Sequence, residues 1–165
     1  AKPVLFIANV GDEGENELSA EVERLAGERE AGCVVIRGRL EAEVAEAAFD
    51  ELERKAFLSE WGLAESALSR LVRAAYELLS LVTFYTFEGP EVRAWTVQAG
   101  TTAPEAGGVI HSDFRDRFVL AEVMDLEELL SAGSERALRE QGKIVRAGRD
   151  YRVRDGDVIH FICAR

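Results

Sequence analysis

The chain has little of what would mark a secreted, membrane-spanning or fibrous protein. Its 165 residues include only two cysteines, three prolines and one methionine, Met124. No apolar run approaches the ~20 residues that span a bilayer, which excludes a transmembrane helix and makes the membrane an unexpected partner. The opening residues have no signal-peptide character, and a start without methionine leaves an upstream segment open. Cys33 and Cys163 are far apart, each in an apolar strand-like run. They are expected to be buried free thiols in a reducing, cytoplasmic setting, not a disulfide framework or a metal site. No G-x-x-x-x-G-K-[ST] stretch occurs anywhere, so the loop that cradles nucleotide phosphates is missing. Internal repeats and low-complexity segments are also lacking.

What is present describes a globular chain: 47% hydrophobic and 31% charged residues, long enough for one ordinary domain or two small ones. The net charge of −11 is uneven. Residues 1–90 hold 9 Lys/Arg against 18 Asp/Glu, whereas residues 91–165 hold 11 against 13. An acidic chain is a poor autonomous binder of phosphate backbones, and DNA is not an expected partner. Within 141–165 the balance reverses, with Lys143, Arg146, Arg149, Arg152, Arg154 and Arg165 against three acids. That ridge could touch RNA inside a larger assembly; the alternative is a solvated strand face.

Residues 3–9 read as a buried strand bounded by an Asn/Gly/Asp loop. Leu18, Val22, Leu25 and Ala26 recur at helical spacing from Glu17 to Glu30, with Gly32 ending the helix. Cys33-Val-Val-Ile36 is a second buried run. Strand–helix–strand order implies a parallel pair, and two strands cannot complete a doubly wound sheet. An Ala/Glu-rich helical stretch covers 41–60, Trp61-Gly62 breaks it, and an amphipathic helix runs from Glu65 to Leu79. The texture then changes, placing a domain boundary near 80–90. Val82–Phe87 alternates β-branched and aromatic residues, Gly89-Pro90 makes a turn, and Val92–Val97 is a strand. A helix over Ala103–Ile110 and a strand over Phe118–Val123 follow. Next come a helix over Leu126–Gln141 broken near Gly133 and a short strand over Lys143–Arg146. Arg149–Val153 and Val158–Cys163 flank Asp155-Gly156-Asp157 as a tight hairpin. The order β-α-β-α-β-β suits a small mixed sheet of the β-grasp kind.

Three stretches carry chemistry. In Asn9-Val10-Gly11-Asp12, a strand end followed by an amide and then a carboxylate is the pattern of a base-reading loop in G-type nucleotide-binding domains. An amide pairs with a purine's N7 and exocyclic group, and a carboxylate accepts from guanine N1 and N2; the alternative is an Asn turn with a solvated acid. Arg37-Gly38-Arg39 follows the next strand, and Gly38, lacking a Cβ, permits a close backbone approach to a base or simply turns the chain into a helix. His111-Ser112-Asp113 lacks a third ligand or a nucleophile and reads as a hydrogen-bonded turn. His160 reads as structural or solvent-facing.

Six collinear blocks carry a family resemblance: Lys2-Pro-Val-Leu-Phe-Ile-Ala-Asn-Val10, Leu40-Glu-Ala-Glu43, Arg73-Ala-Ala-Tyr-Glu-Leu-Leu79, Glu91-Val-Arg-Ala-Trp-Thr96, Gly107-Gly-Val-Ile-His-Ser-Asp-Phe114 and Asp155-Gly-Asp-Val-Ile-His-Phe161. With them the chain resembles the C-terminal portion of the YchF/Obg-like ATPases, translation-associated P-loop NTPases. The resemblance implies an α/β remnant of a P-loop NTPase G domain (strand–helix–strand plus helices) over 1–80. It implies an α+β, ubiquitin-like β-grasp TGS domain over 81–165. It further implies ATP or GTP as the ligand, with Mg²⁺ in the intact parent, and the ribosome or RNA as partner. Asn9, Val10, Asp12 and Gly38 would then supply the base side of a purine pocket, and Lys143, Arg146, Arg149, Arg152 and Arg154 would offer contacts to RNA. Asp12 stands where the family has Glu, and Arg37-Gly38 where it has Ser-Ala or Cys-Ala. Without a phosphate loop the chain is not expected to hydrolyse nucleotide by itself. The competing expectation is a non-enzymatic TGS adaptor that binds RNA or protein.

Overall fold

The computed structural model describes residues 2–47, 50–89 and 91–164. Pro90 of the expected turn and Arg165 of the basic group lie outside them. The chain divides into two compact units, residues 1–79 and 80–165.

The first unit begins with β1 (Leu5–Asn9), α1 (Glu17–Glu28) and β2 (Gly32–Ile36). The strands pair in parallel, from Leu5 opposite Gly32 to Asn9 opposite Ile36. α1 supplies the long connection that a parallel pair requires and packs on both strands. Its start is set by Asn16, whose side chain accepts from the Leu18 and Ser19 amides while the Ser19 hydroxyl accepts from the Asn16 amide. Its end is set by Glu30, not by Gly32. Glu30 takes a left-handed conformation (φ 54°), and the Glu30 and Ala31 amides donate back to Gly27 O and Ala26 O, leaving Gly32 to open β2.

α2 (Gly38–Ala47), α3 (Glu51–Glu60) and α4 (Ala67–Leu78) complete the unit, with Leu40, Val44 and Leu58 forming a small core between α2 and α3. The strand expected to be buried over 3–9 is present but not buried. Only Ala8 is enclosed, and Ile7 is 49% exposed, because a two-stranded sheet has too few neighbours to cover both faces. The same shortage leaves Leu18 on α1 and Leu68 and Val72 on α4 in solvent.

The second unit contains β3 (Leu81–Glu88), β4 (Glu91–Gln98), α5 (Ala103–Ile110), α6 (Ser112–Asp116), β5 (Phe118–Asp125), α7 (Leu126–Ala132), α8 (Glu135–Glu140), β6 (Val145–Ala147) and β7 (Asp157–Cys163). Its five strands form one mixed sheet in the order β4-β3-β7-β5-β6, with β3 and β7 parallel and the other pairs antiparallel. Alternation places Ile159 and Phe161 of β7 in one core with Phe84, Phe118 and Ala121, and Val158 in another with Met124 and Leu138. The Phe161 ring sits between those of Phe84, Phe114 and Phe118, with centroids 5.7–6.4 Å away. Burying a phenylalanine of this kind contributes about 1.5–3 kcal/mol.

The hairpin expected over 149–163 does not form. Residues 149–153 make only an isolated bridge, Thr102 to Arg152, while β7 pairs antiparallel with β5. Backbone bonds from Ala103 N to Tyr151 O (2.8 Å) and from Val153 N to Thr101 O (2.9 Å) use the segment's hydrogen-bonding groups against the loop before α5. Asp157 closes the connection, accepting from the Tyr151 hydroxyl and the Arg154 amide, each at 2.8 Å.

Candidate functional site

Asn9, Val10, Asp12 and Gly38 meet where β1 and β2 end. Because the strands are parallel, their carboxyl ends coincide, and that end is where open α/β sheets take ligands. Val10 N donates to Ile36 O at 2.8 Å, carrying the pairing one residue past β1. The chain then turns tightly, Gly14 N donating to Gly11 O at 3.0 Å, and the turn presents Asp12. From the facing loop, Gly38 N donates to Asn9 Oδ1 at 3.1 Å. Gly38 opens α2, so this bond satisfies one of the helix's unpaired amides with a side chain from another strand. A Cβ on residue 38 would lie 3.1 Å from Asn9 Oδ1, tighter than an ordinary contact, so a side chain there would press the two loops apart by a few tenths of an ångström.

Two arginines tie the loops further, and sequence reasoning missed what they do. Arg39 Nη2 lies 3.1 Å from Asp12 Oδ2, and its Nε reaches Glu43 at 3.2 Å. Arg37 does not project into solvent. Its guanidinium covers Gly14, where an added Cβ would come within 2.5 Å of Nη2, and Nη1 donates to Trp61 O at 3.3 Å. Gly14 also has a positive φ of 89°, so any side chain there would be strained as well as crowded. The only signal in the sequence was two arginines flanking one glycine; nothing local said which acid Arg39 would meet. Nearby, the Glu41 carboxylate accepts from the Ala67 amide at the start of α4 and faces Arg70 at 3.8 Å, fastening α2 to α4.

The five basic candidates of the second unit do not line one strand. Lys143 pairs with Glu128 at 3.0 Å and Arg146 with Glu122 at 3.4 Å. Arg149 donates to Phe118 O at 3.0 Å with its guanidinium 5.8 Å from the Phe118 ring centre, and Arg152 donates to Gly100 O at 2.7 Å. Arg154 is exposed and follows the loop before β7. Arg146 is on β6 and the other four are in the segments on either side of it, residues 149–153 forming a loop instead of a strand.

Glu122 is the buried acid of this region, joined by Arg139 at 2.7 Å as well as by Arg146. The hydrogen bond from Arg139 holds its carboxyl below the usual carboxylate range, against the opposing effect of burial. Burial pushes Asp157 up, and burial together with the bond to Asp157 pushes Tyr151 up to about 12. His111 caps α6, its Nδ1 accepting from the Asp113 amide at 3.2 Å, which is the hydrogen-bonded turn expected there. His160 is exposed. Cys33 and Cys163 are free and half-buried, with burial raising both thiols. Among the described residues, no helix is long and apolar enough to cross a membrane.

Comparison with known proteins gives consistent matches. A protein-family model, YchF-GTPase_C, described as a protein of unknown function (DUF933), matches residues 81–164. The chain is 42% identical to the ribosome-binding ATPase YchF of Bacillus subtilis (strain 168), over 98% of this chain and 45% of that protein. It is 40% identical to the ribosome-binding ATPase YchF of Escherichia coli O157:H7, over 98% and 44%. The structure of the Schizosaccharomyces pombe YchF GTPase superposes with a TM-score of 0.83 at 28% identity, covering 98% of this chain and 44% of that one. The chain therefore spans less than half the length of these relatives.

Proposed function

The chain belongs to the YchF/Obg-like ATPase family, and on that premise we propose that it carries the base side of a purine-nucleotide pocket and a TGS module for ribosome or RNA contact. Residues 1–80 would be the closing part of a G domain, and residues 81–165 would be the TGS domain. The observation that carries the reading is the bond between Gly38 and Asn9, which fixes one side chain at the carboxyl end of a parallel pair.

That bond engages the acceptor end of the Asn9 amide and leaves its Nδ2 hydrogens to donate to a purine N7. Val10 and Gly38 would supply the close backbone on either side of the base. Asp12 would accept from guanine N1 and N2 when it exchanges its Arg39 partner for the base, which favours guanine over adenine. Phosphates and Mg²⁺ are another matter. The chain has no G-x-x-x-x-G-K-[ST] stretch, so no residue here can be named to hold them and no hydrolytic step is assigned to this chain.

For the second unit, the strand order β4-β3-β7-β5-β6, with the first and last strands parallel and a helix after the opening hairpin, supports the β-grasp arrangement. The relatives' description as ribosome-binding ATPases supports the partner, with Lys143, Arg146, Arg149, Arg152 and Arg154 as contacts and the cytoplasm as the place. Calorimetry with ATP and GTP tests the pocket: binding that disappears in Asn9→Ala supports it. Binding that survives Asn9→Ala refutes it. No binding by this chain, alongside binding by a full-length relative, would leave the adaptor role in its place.

A further inference from the structure

The sheet of the second unit opens into a fork. β3 and β7 pair only at Tyr85 and Val158 among the described residues, although β3 continues beside β4 to Glu88 and β7 beside β5 to Cys163. The separating strands leave a cavity of about 330 Å³, a size that holds a nucleoside-sized group. Its wall includes three aromatic side chains, Trp95, Phe114 and Phe161. The Trp95 indole is pinned by donating Nε1–H to Thr86 Oγ1 at 2.9 Å. Arg93 stands at the lip, held by Glu91 at 2.7 Å with both side chains more than half exposed, so a guanidinium and a carboxylate face solvent side by side.

One further wall residue, His160, lies between Ile159 and Phe161 on β7, so its side chain turns to the other face of the sheet. His160 is the cross-strand partner of Glu122, and Glu122 is the partner of Arg146, so all three lie in one row across β7, β5 and β6 on a single face. The charges of that row are matched, Glu122 by Arg139 and Arg146 and Arg139 also by Glu135, so Arg93 is the cation at the aromatic wall.

We propose that this fork is a docking site for an unstacked base of single-stranded RNA. The base enters among Trp95, Phe114 and Phe161, and the Glu91–Arg93 pair meets its polar edge. Aromatic walls with a cation at the rim are the arrangement by which proteins hold single-stranded bases, and a duplex, whose bases are stacked, cannot use it. The site is separate from the loops around Asn9, although the choice of RNA over another polymer rests on the proposed ribosome contact.

The test is a fluorescence titration of the 165-residue chain carrying Trp61→Phe and Asn9→Ala, in which Trp95 is the remaining indole and the purine loop is disabled. A single-stranded hexaribonucleotide is expected to give saturable quenching, and an RNA duplex of the same length much less. Arg93→Ala and Arg93→Glu, at an exposed position, are expected to weaken binding about tenfold or more, within the usual contribution of a stacked base and its partners. Absence of quenching, equal binding of duplex, or binding indifferent to both substitutions would overturn the proposal. So would quenching by an aromatic peptide and not by RNA, which would make the fork a polypeptide site. Calorimetry on the unsubstituted chain reports the Asn9 pocket independently, so failure of either site is distinguishable from failure of the other.

Discussion

The amide of Gly38 donates to Asn9 Oδ1 across 3.1 Å, joining two residues 29 positions apart at the ends of adjacent parallel strands. The side chain thus has a structural task, covering the first amide of α2, and a candidate recognition task through its other end. The two tasks can be separated. Asn9→Ala removes both and is expected to cost about 0.5–1.5 kcal/mol of stability, the net worth of one hydrogen bond. Asn9→Asp keeps an acceptor for Gly38 and loses the donors, so it should retain stability in urea unfolding while losing purine binding in calorimetry.

Arg39 competes for Asp12. The pair is largely exposed, so Arg39→Ala should change stability by no more than about 0.5 kcal/mol in denaturant titration. Freeing the carboxylate should raise affinity for GTP relative to ATP by up to about twofold, the equivalent of that exposed ion pair. An unchanged ratio of the two affinities would remove Asp12 from base selection.

Glu30 holds a left-handed turn that glycine adopts without strain. Glu30→Gly is expected to stabilise the first unit by about 0.5–1 kcal/mol, since the relief at φ 54° outweighs the added freedom of the unfolded chain. Thermal unfolding checks this directly. A loss of stability would mean that the Glu30 side chain has a role beyond the turn.

How far the sequence could be read follows from which interactions are local. The break at Gly133 and the alternation along β4 depend on near neighbours and were legible. The end of α1 was not, because glycine is the usual left-handed residue and Glu30 takes that place two positions earlier. The hairpin before β7 failed for a different reason: Tyr151 and Val153 bond to residues 48 and 52 positions away, which no turn signal encodes. At the candidate site, Asn9, Asp12 and Gly38 could be named from spacing and resemblance. The pairing of Asp12 with Arg39 and the cover of Arg37 over Gly14 depend on how two loops meet, and only coordinates carry that.

Glu122 gives the second unit an acid-sensitive joint. Its carboxyl is held low by Arg139, so its contribution is fully present above the unfolded value near 4.5 and is lost as pH falls through the lower folded value. Glu122→Gln should therefore cost about 1 kcal/mol at pH 7, reduced from a buried charge pair because water reaches both arginines. The variant should also lose less stability than the parent chain as pH drops below 4.5, measured by urea midpoints across pH 3–7. Asp157 works in the opposite sense, its raised carboxyl favouring the folded state as pH falls, so the comparison must be made between variant and parent and not on either curve alone.

The most direct test of the account is a titration of the isotopically labelled chain with GTP and ATP, followed by nuclear magnetic resonance. The account predicts that the Asn9 side-chain amide, the Gly38 backbone amide and the turn at Gly11–Gly14 shift together and saturate, with GTP acting at lower concentration than ATP. Saturable shifts confined to other residues, with these three unmoved, would contradict it.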